Sequence, residues 1–427
     1  MLKIIGIFLF IPLMLFGQEV KNIGTLFDSL KTHSQSKSDE INVEQAGTGK
    51  SIAYSHLFPN IDVFGRYDYY SKATGVLPLP PNEMFTLIRD PSLTQPFSQI
   101  VYRIGAAVSM PIFVKSIFTM ASKTSMIYKS AKYKKYINML KNEAMIVSLN
   151  SSLAYIEALG IALEQKKNSL LKTKEFITIK VKNGRTPESS LLKINNGVTE
   201  IDVMENDLSL QREEVLAGIR TLTGVSLKNS IPMTQTGNYK DGEIKALDPL
   251  KEKLEADRLG HRAEVEKLFP ILALQGNFNR GFATAYNNNK GIAENYYTIG
   301  LVLKIPLLAM DQYAQISRST VEVKASENEL DKASLELSSQ AAQLKRSLPL
   351  IENSIALYKS SIDDKEELLK IAKVSYQSDQ MTMEDYLKYE DDLVLEKSKL
   401  FKAQSQKWQT LVKLAVIYGN SIEEIIK

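Results

Sequence analysis

The sequence has no cysteine. This excludes disulfides, thiolate metal sites, a cysteine nucleophile and lipid attachment at a cysteine behind a leader. It permits an oxidising compartment without requiring one. Histidine is nearly as scarce: His33, His56 and His261 are scattered, and no H-E-x-x-H, P-loop or G-x-S-x-G pattern occurs. No catalytic residue, metal site or cofactor is expected, and the chain reads as a non-enzyme. No large excess of one charge is present either. Lys+Arg number 53 against Asp+Glu 49, a net charge of +4, and no basic stripe interleaves with aromatics, which argues against nucleic acid as a partner. Beyond the N-terminus no apolar run reaches the ~20 residues a spanning helix needs. Any membrane segment must therefore be built of β-strands.

What is present begins with Lys3 and the apolar run Ile4 to Phe16, followed by Gly17-Gln18. A basic residue, an apolar stretch and a small-residue cut read as an export signal over residues 1–17.

The rest of the chain is organised by a repeat. With an offset of 195 positions, Tyr102-Arg103-Ile104-Gly105 falls on Tyr297-Thr298-Ile299-Gly300, Met110-Pro111-Ile112 on Ile305-Pro306-Leu307, and Leu222-Thr223-Gly224 on Ile417-Tyr418-Gly419. A shared period over that length marks a duplicated unit. The weak helical stretch from Val20 to His56, with an irregularity expected at Gly47-Thr48-Gly49, corresponds to a better helix over Leu250 to Leu268. The two end in Leu57-Phe58-Pro59 and Leu268-Phe269-Pro270.

A strand follows each tripeptide. Ile61, Val63, Gly65, Tyr67 and Tyr69 alternate with Asp62, Phe64, Arg66 and Asp68, and Leu272, Leu274, Gly276 and Phe278 alternate with Ala273, Gln275, Asn277 and Asn279. The second strands, carrying Tyr102 to Ile112 and Tyr297 to Ile305, behave alike. Period two with one apolar face fits either a half-buried soluble sheet or a membrane barrel of ~9–11-residue strands with aromatics at the interfaces. The alternation leaves both open. The export signal and the helices that follow favour the barrel. The loop Ser71 to Gln99, with five prolines, is expected to be irregular.

After Pro111 and Pro306 the chain is helical for about 70 residues, roughly 105 Å at 1.5 Å per residue, with Pro349 a possible kink. A turn follows at Asn183-Gly184-Arg185-Thr186-Pro187 and at Ser378-Asp379-Gln380-Met381-Thr382, and then a return helix of about 35 residues. Apolar stripes are expected at Leu192, Val198, Ile201, Met204 and Leu208, and at Leu387, Leu393, Leu395 and Leu400. The layout is thus a signal at 1–17; a first repeat at 18–224 (strands about 60–70 and 101–110, helices about 112–182 and 187–223); a linker or equatorial segment at 225–248; and a second repeat at 249–427 (helix about 249–268, strands about 271–280 and 296–305, helices about 307–377 and 383–418).

In the Leu-Phe-Pro openings, the Gly-x4-Met/Ile-Pro exits from the second strands (Gly105 to Pro111, Gly300 to Pro306) and the Leu-Thr-Gly and Ile-Tyr-Gly helix ends, the chain resembles the TolC-like outer-membrane efflux protein family. The resemblance spans nearly all of the sequence after the leader. It implies a mainly α fold with a small β part, and a homotrimer whose 12-stranded transmembrane β-barrel continues into a periplasmic α-helical barrel. It also implies a passive exit duct of a tripartite efflux or type I secretion system in the outer membrane. Implied partners are outer-membrane lipid, a periplasmic adaptor (membrane fusion) protein and an inner-membrane pump of RND, ABC or MFS type. The two turns, Asn183 to Thr186 and Ser378 to Thr382, would form the periplasmic mouth and meet the adaptor. Asp385 stands where the family has a ring Asp that narrows the pore and selects cations. Asp379 stands in place of a usual Gly, Met381 in place of a usual basic residue and Lys388 in place of a second ring Asp. Asp385 capping the first turn of its helix is the alternative role. A periplasmic coiled-coil scaffold with a small soluble β-domain is the alternative for the whole protein.

Overall fold

The computed structural model describes residues 22–427; the expected export signal lies outside the described residues. Two helices of 68 residues each dominate, α4 (Lys115–Lys182) and α7 (Met310–Gln377). Each is about 100 Å long. Each is followed by a 36-residue return helix, α5 (Glu188–Thr223) or α8 (Met383–Tyr418). Ahead of them lie α1 (Ile23–Thr32), α2 (Ser34–Ser55), β1 (Asn60–Gly75), α3 (Pro81–Arg89) and β2 (Phe97–Phe113); α6 (Asp248–Glu266), β3 (Ile271–Thr284) and β4 (Gly291–Lys304) precede α7.

Packing divides these residues into two units. One comprises residues 42–132 and 249–331. Its core element is an antiparallel sheet in the order β1-β2-β3-β4. The register pairs Tyr67 with Tyr102, Ala106 with Phe278 and Phe278 with Tyr297. The β1 and β4 edges have no strand partner among the described residues. Beside the sheet, α4 and α6 are tied by the buried Glu266, which accepts from Thr119 and Arg262 and lies 3.5 Å from Lys115.

The other unit comprises residues 22–41, 133–248 and 332–427. Its packing follows a seven-residue period: Ile156, Leu163, Leu170 and Ile177 on α4, Ile194, Ile201 and Leu208 on α5, and Tyr386, Leu393 and Leu400 on α8 are all buried. A strict heptad keeps one seam facing its neighbours over many turns, as in coiled coils. Higher on α4, Ile146, Val147 and Leu153 join Ile23, Phe27, Ile219, Leu411 and Ile425 in a second core.

Several expectations need correction. α4 does contain an 18-residue window of mean hydropathy 1.5, apolar and long enough to cross a membrane by composition; 44% of that window is buried. Ile146, Val147 and Leu153 belong to the helix-packing core, so apolarity there serves packing. The first helical stretch breaks at His33, whose backbone is extended, and not at Gly47-Thr48-Gly49. Gly47 instead lies against the Tyr128 ring. The loop after β1 holds the helix α3, with Pro81 in its first turn and Asp90-Pro91 ending it. Strand β2 runs through Pro111 to Phe113 with a register irregularity, so Pro111 is not its exit. α7 continues through Pro349. On the return helices Leu192, Met204 and Leu395 are exposed, and the buried rows run through Ile194 and Leu393. Two positions along a helix turn a side chain by about 200°, so Leu192 and Ile194 point to opposite sides. The segment 225–248 is packed: Asn150 donates to and accepts from the backbone of Ile231, and Thr234 pairs with Lys427.

Candidate functional site

Two surfaces answer to the sequence-predicted function. The first is the sheet. Register places Ile61, Val63, Tyr67 and Tyr69 on the same face as Ile104, Tyr102, Phe278, Tyr297, Ile299, Leu301 and Leu303. These side chains are exposed, from 47% at Phe278 to 78% at Val63. The opposite face carries Asp62, Arg66, Asp68, Arg103, Gln275, Asn277, Asn279, Glu294 and Thr298. There Asp68 accepts from both Arg66 and Arg103. One face is therefore apolar and uncovered, the other polar and cross-linked by charge. A half-buried soluble sheet covers its apolar face, and this sheet does not. The arrangement matches the lipid-outside, water-inside pattern of a membrane barrel. Gly105 sits on the polar face beneath the Phe64 ring. A Cβ there would lie 2.4 Å from the Phe278 carbonyl oxygen and 2.7 Å from Phe64. Its counterpart Gly300 has nothing within 4 Å.

The second surface is the pair of helix turns, which share one backbone design. At the end of α4, Gly184 is left-handed (φ 68°), and Arg185 N–H donates to Lys180 while Gly184 N–H donates to Val181. At the end of α7, Asp379 is left-handed (φ 61°), and Gln380 N–H donates to Ser375 while Asp379 N–H donates to Tyr376. Both are Schellman caps, a motif that favours glycine at the left-handed position. Aspartate is among the few other residues that tolerate it.

The structure brings the two turns together through Asp379 and through residues the sequence reading did not single out. Lys180 forms an ion pair with Asp379 while lying over the Phe176 ring, and Phe176 meets Tyr376 edge-on. Lys193 pairs with Glu384 at 3.1 Å. Tyr376 stacks on Tyr386, with ring centroids 5.2 Å apart. The fully buried Tyr386 donates to Glu390 at 2.6 Å, and Ser169 donates to the same carboxylate oxygen at 2.6 Å. Burial, and then the Glu390 contact, push the Tyr386 hydroxyl up to about 12, so it stays a donor. Tyr386 was legible only as one position of a heptad with Leu393 and Leu400. Its polar partners lie elsewhere, Ser169 over two hundred residues away.

Of the expected mouth residues, Asn183, Gly184, Arg185, Ser378, Asp379, Gln380 and Thr382 are exposed, Thr186 is half-buried, and Met381 is half-buried against the heptad core. Asp385 is exposed and sits in a capping arrangement. Thr382 Oγ1 accepts from the Asp385 N–H at 3.1 Å and donates to Asp385 Oδ2 at 2.6 Å. This satisfies one of the free N–H groups that open α8. No group of three or more metal-binding side chains that could hold an ion occurs among the described residues.

No protein-family model and no curated protein matches the chain. Solved structures do match it over nearly its whole length. The CmeC outer membrane channel of Campylobacter jejuni superimposes with a TM-score of 0.77 at 16% identity, over 93% of this chain and 86% of that one. The outer membrane protein VceC of Vibrio cholerae gives 0.78 at 12% identity, over 93% and 96%. The open state of the MtrE outer membrane channel of Neisseria gonorrhoeae gives 0.76 at 12% identity, over 95% and 90%. The chain has the fold of these outer-membrane channel proteins.

Proposed function

From that shared fold, we propose that this chain is the outer-membrane exit duct of a tripartite efflux or type I secretion system, acting as a homotrimer. The observation that carries the reading is the uncovered apolar face of the four-stranded sheet. Ile61, Val63, Ile299, Leu301 and Leu303 are each more than 60% exposed. In water such a patch is an aggregation liability; in lipid it is the favourable surface. The free β1 and β4 edges add a second argument. Unpaired backbone groups are not tolerated in hydrocarbon, and three copies of four strands supply the twelve that close a barrel.

In this assembly the polar face, with Asp68, Arg66 and Arg103, lines water. The two repeats, 18–224 and 249–427, each contribute two strands and two helices. The long helices pack side by side into the periplasmic conduit, and their exposed rows, such as Leu335 and Leu357 on α7, meet neighbouring copies. The helix turns form the periplasmic mouth and receive the adaptor, and an inner-membrane pump drives the cargo. Asp385 lines the constriction with Oδ1, while its Oδ2 accepts from the Thr382 hydroxyl that caps α8.

Fractionation and cross-linking test the duct. The protein is expected to stay in the outer-membrane pellet after a high-salt wash and to migrate as a trimer; release as a monomer would refute it. Bilayer recordings test the ring separately. Asp385→Asn should weaken block by multivalent cations, and unchanged block would remove Asp385 from the constriction.

A further inference from the structure

One residue breaks the apolar face. Across the regular part of the register, Arg280 is the only charged side chain on that face. It lies opposite Ile104 on β2 and Asn295 on β4. Phe278 and Tyr297 form the row on one side of it, and Phe282 and Tyr102 the row on the other. Arg280 is exposed, has no ion-pair partner among the described residues, and places its guanidinium 5.2 Å from the Phe282 ring.

Its height is informative. Nine residues separate it from the start of β3 at Ile271. At ~3.3 Å per residue and a tilt of about 40°, that is roughly 23 Å, close to the full ~25 Å of a barrel's apolar band. A lipid-facing arginine is costly at mid-membrane and nearly free at the interface. Its long stem lets the charge reach the headgroup layer. The aromatic rings around it, Tyr67, Tyr102 and Phe282, are the residues such an interface collects. Beyond Arg280 on the same strand pair lies a cleft of about 630 Å³, bordered by Gln99, Tyr102, Phe282, Tyr286 and Asn289. Its lining offers amide, hydroxyl and aromatic groups, and no carboxylate.

We propose that Arg280 and this cleft hold the phosphate and polar head of a phosphorylated lipid in the outer leaflet. The proposal rests on the outer-membrane reading above, since it needs the sheet to face lipid. A guanidinium recognises phosphate by paired, charge-assisted hydrogen bonds, and the cleft's neutral donors suit a sugar or glycerol head.

Native mass spectrometry of the full chain purified in detergent tests it, with bisphosphorylated lipid A and its dephosphorylated form as probes. The wild type is expected to retain the phosphorylated lipid roughly tenfold better. Arg280→Gln should abolish that preference, and Arg280→Lys should keep part of it. Arg66→Gln, on the opposite face, should leave it intact. Excess inorganic phosphate should not displace the lipid. No preference in the wild type, or an undiminished one in Arg280→Gln, would overturn the proposal; displacement by inorganic phosphate would reduce it to a simple anion site and also overturn it. A trimer in detergent without lipid preference defeats this site alone. A monomer soluble without detergent defeats the duct itself.

Discussion

Asp379 repeats, 195 positions further on, the left-handed backbone of Gly184: φ is 61° at one and 68° at the other. The duplication has preserved a conformation while replacing the residue best suited to it. The aspartate that took its place forms an ion pair with Lys180, close to the first turn. A left-handed backbone costs a residue with a Cβ about 1–2 kcal/mol, less for Asp. A pair whose acid is largely exposed returns at most about 1 kcal/mol.

Those two terms nearly cancel, which sets the first expectation. Asp379→Gly should unfold within about 1 kcal/mol of the wild type, because relief of the backbone offsets the lost pair. Asp379→Ala loses the pair and keeps the strained backbone. It should be about 1–2 kcal/mol less stable. Thermal melts followed by circular dichroism distinguish the two. Equal loss in both variants would mean that the ion pair, and not the backbone, dominates.

The buried Glu390 depends on Tyr386 and Ser169 for its hydrogen bonds. Tyr386→Phe leaves the carboxylate with one donor in a dry site and should cost about 1–3 kcal/mol. Adding Glu390→Gln should recover part of that, since the amide needs less solvation. Double-mutant denaturation curves measure the coupling, and strict additivity would deny it.

Glu143 on α4 predicts a pH dependence. Burial, and then the nearby Glu423 carboxylate, raise it from 4.5 to about 7, with Lys31 opposing. The folded state holds this proton more tightly than the unfolded state. Its contribution to stability is therefore greatest below about 4.5 and is lost as pH rises towards 7, by at most about 3 kcal/mol. Glu143→Gln should flatten that part of the profile. A wild-type midpoint that rises between pH 5 and 7, with Glu143→Gln rising in parallel, would contradict the assignment.

The two equivalent glycines in the second strands of the repeats should differ. Gly105→Ala drives a methyl into the Phe278 carbonyl and should sharply reduce the yield of folded protein. Gly300→Ala meets open space within its own chain and should be tolerated to within about 0.5 kcal/mol. Gel analysis of detergent extracts compares the yields. A comparable loss at Gly300 would place a neighbouring copy against β4.

Much of the architecture is legible in the sequence. The Leu-Phe-Pro tripeptides lead straight into β1 and β3, and the long helices end where Gly184 and its counterpart Asp379 stand, because backbone preference and proline are local. The choice of helix face was harder. Leu192 and Ile194 are both apolar and two residues apart, so periodicity alone could not tell the seam within the chain from the face left bare. The same holds for Leu393 and Leu395. A helix that contacts neighbours on two sides is apolar on two sides.

The sequence by itself determined the repeat and the alternation of the strands, since each depends on the order of neighbouring residues. Only the tertiary structure decided that the apolar side of the sheet is left bare. It likewise decided that Lys180 meets Asp379, that Ser169 joins Tyr386 at Glu390, and that Arg280 stands alone among the rings. Those facts depend on segments far apart in the chain reaching one place, and no local pattern encodes which partner arrives.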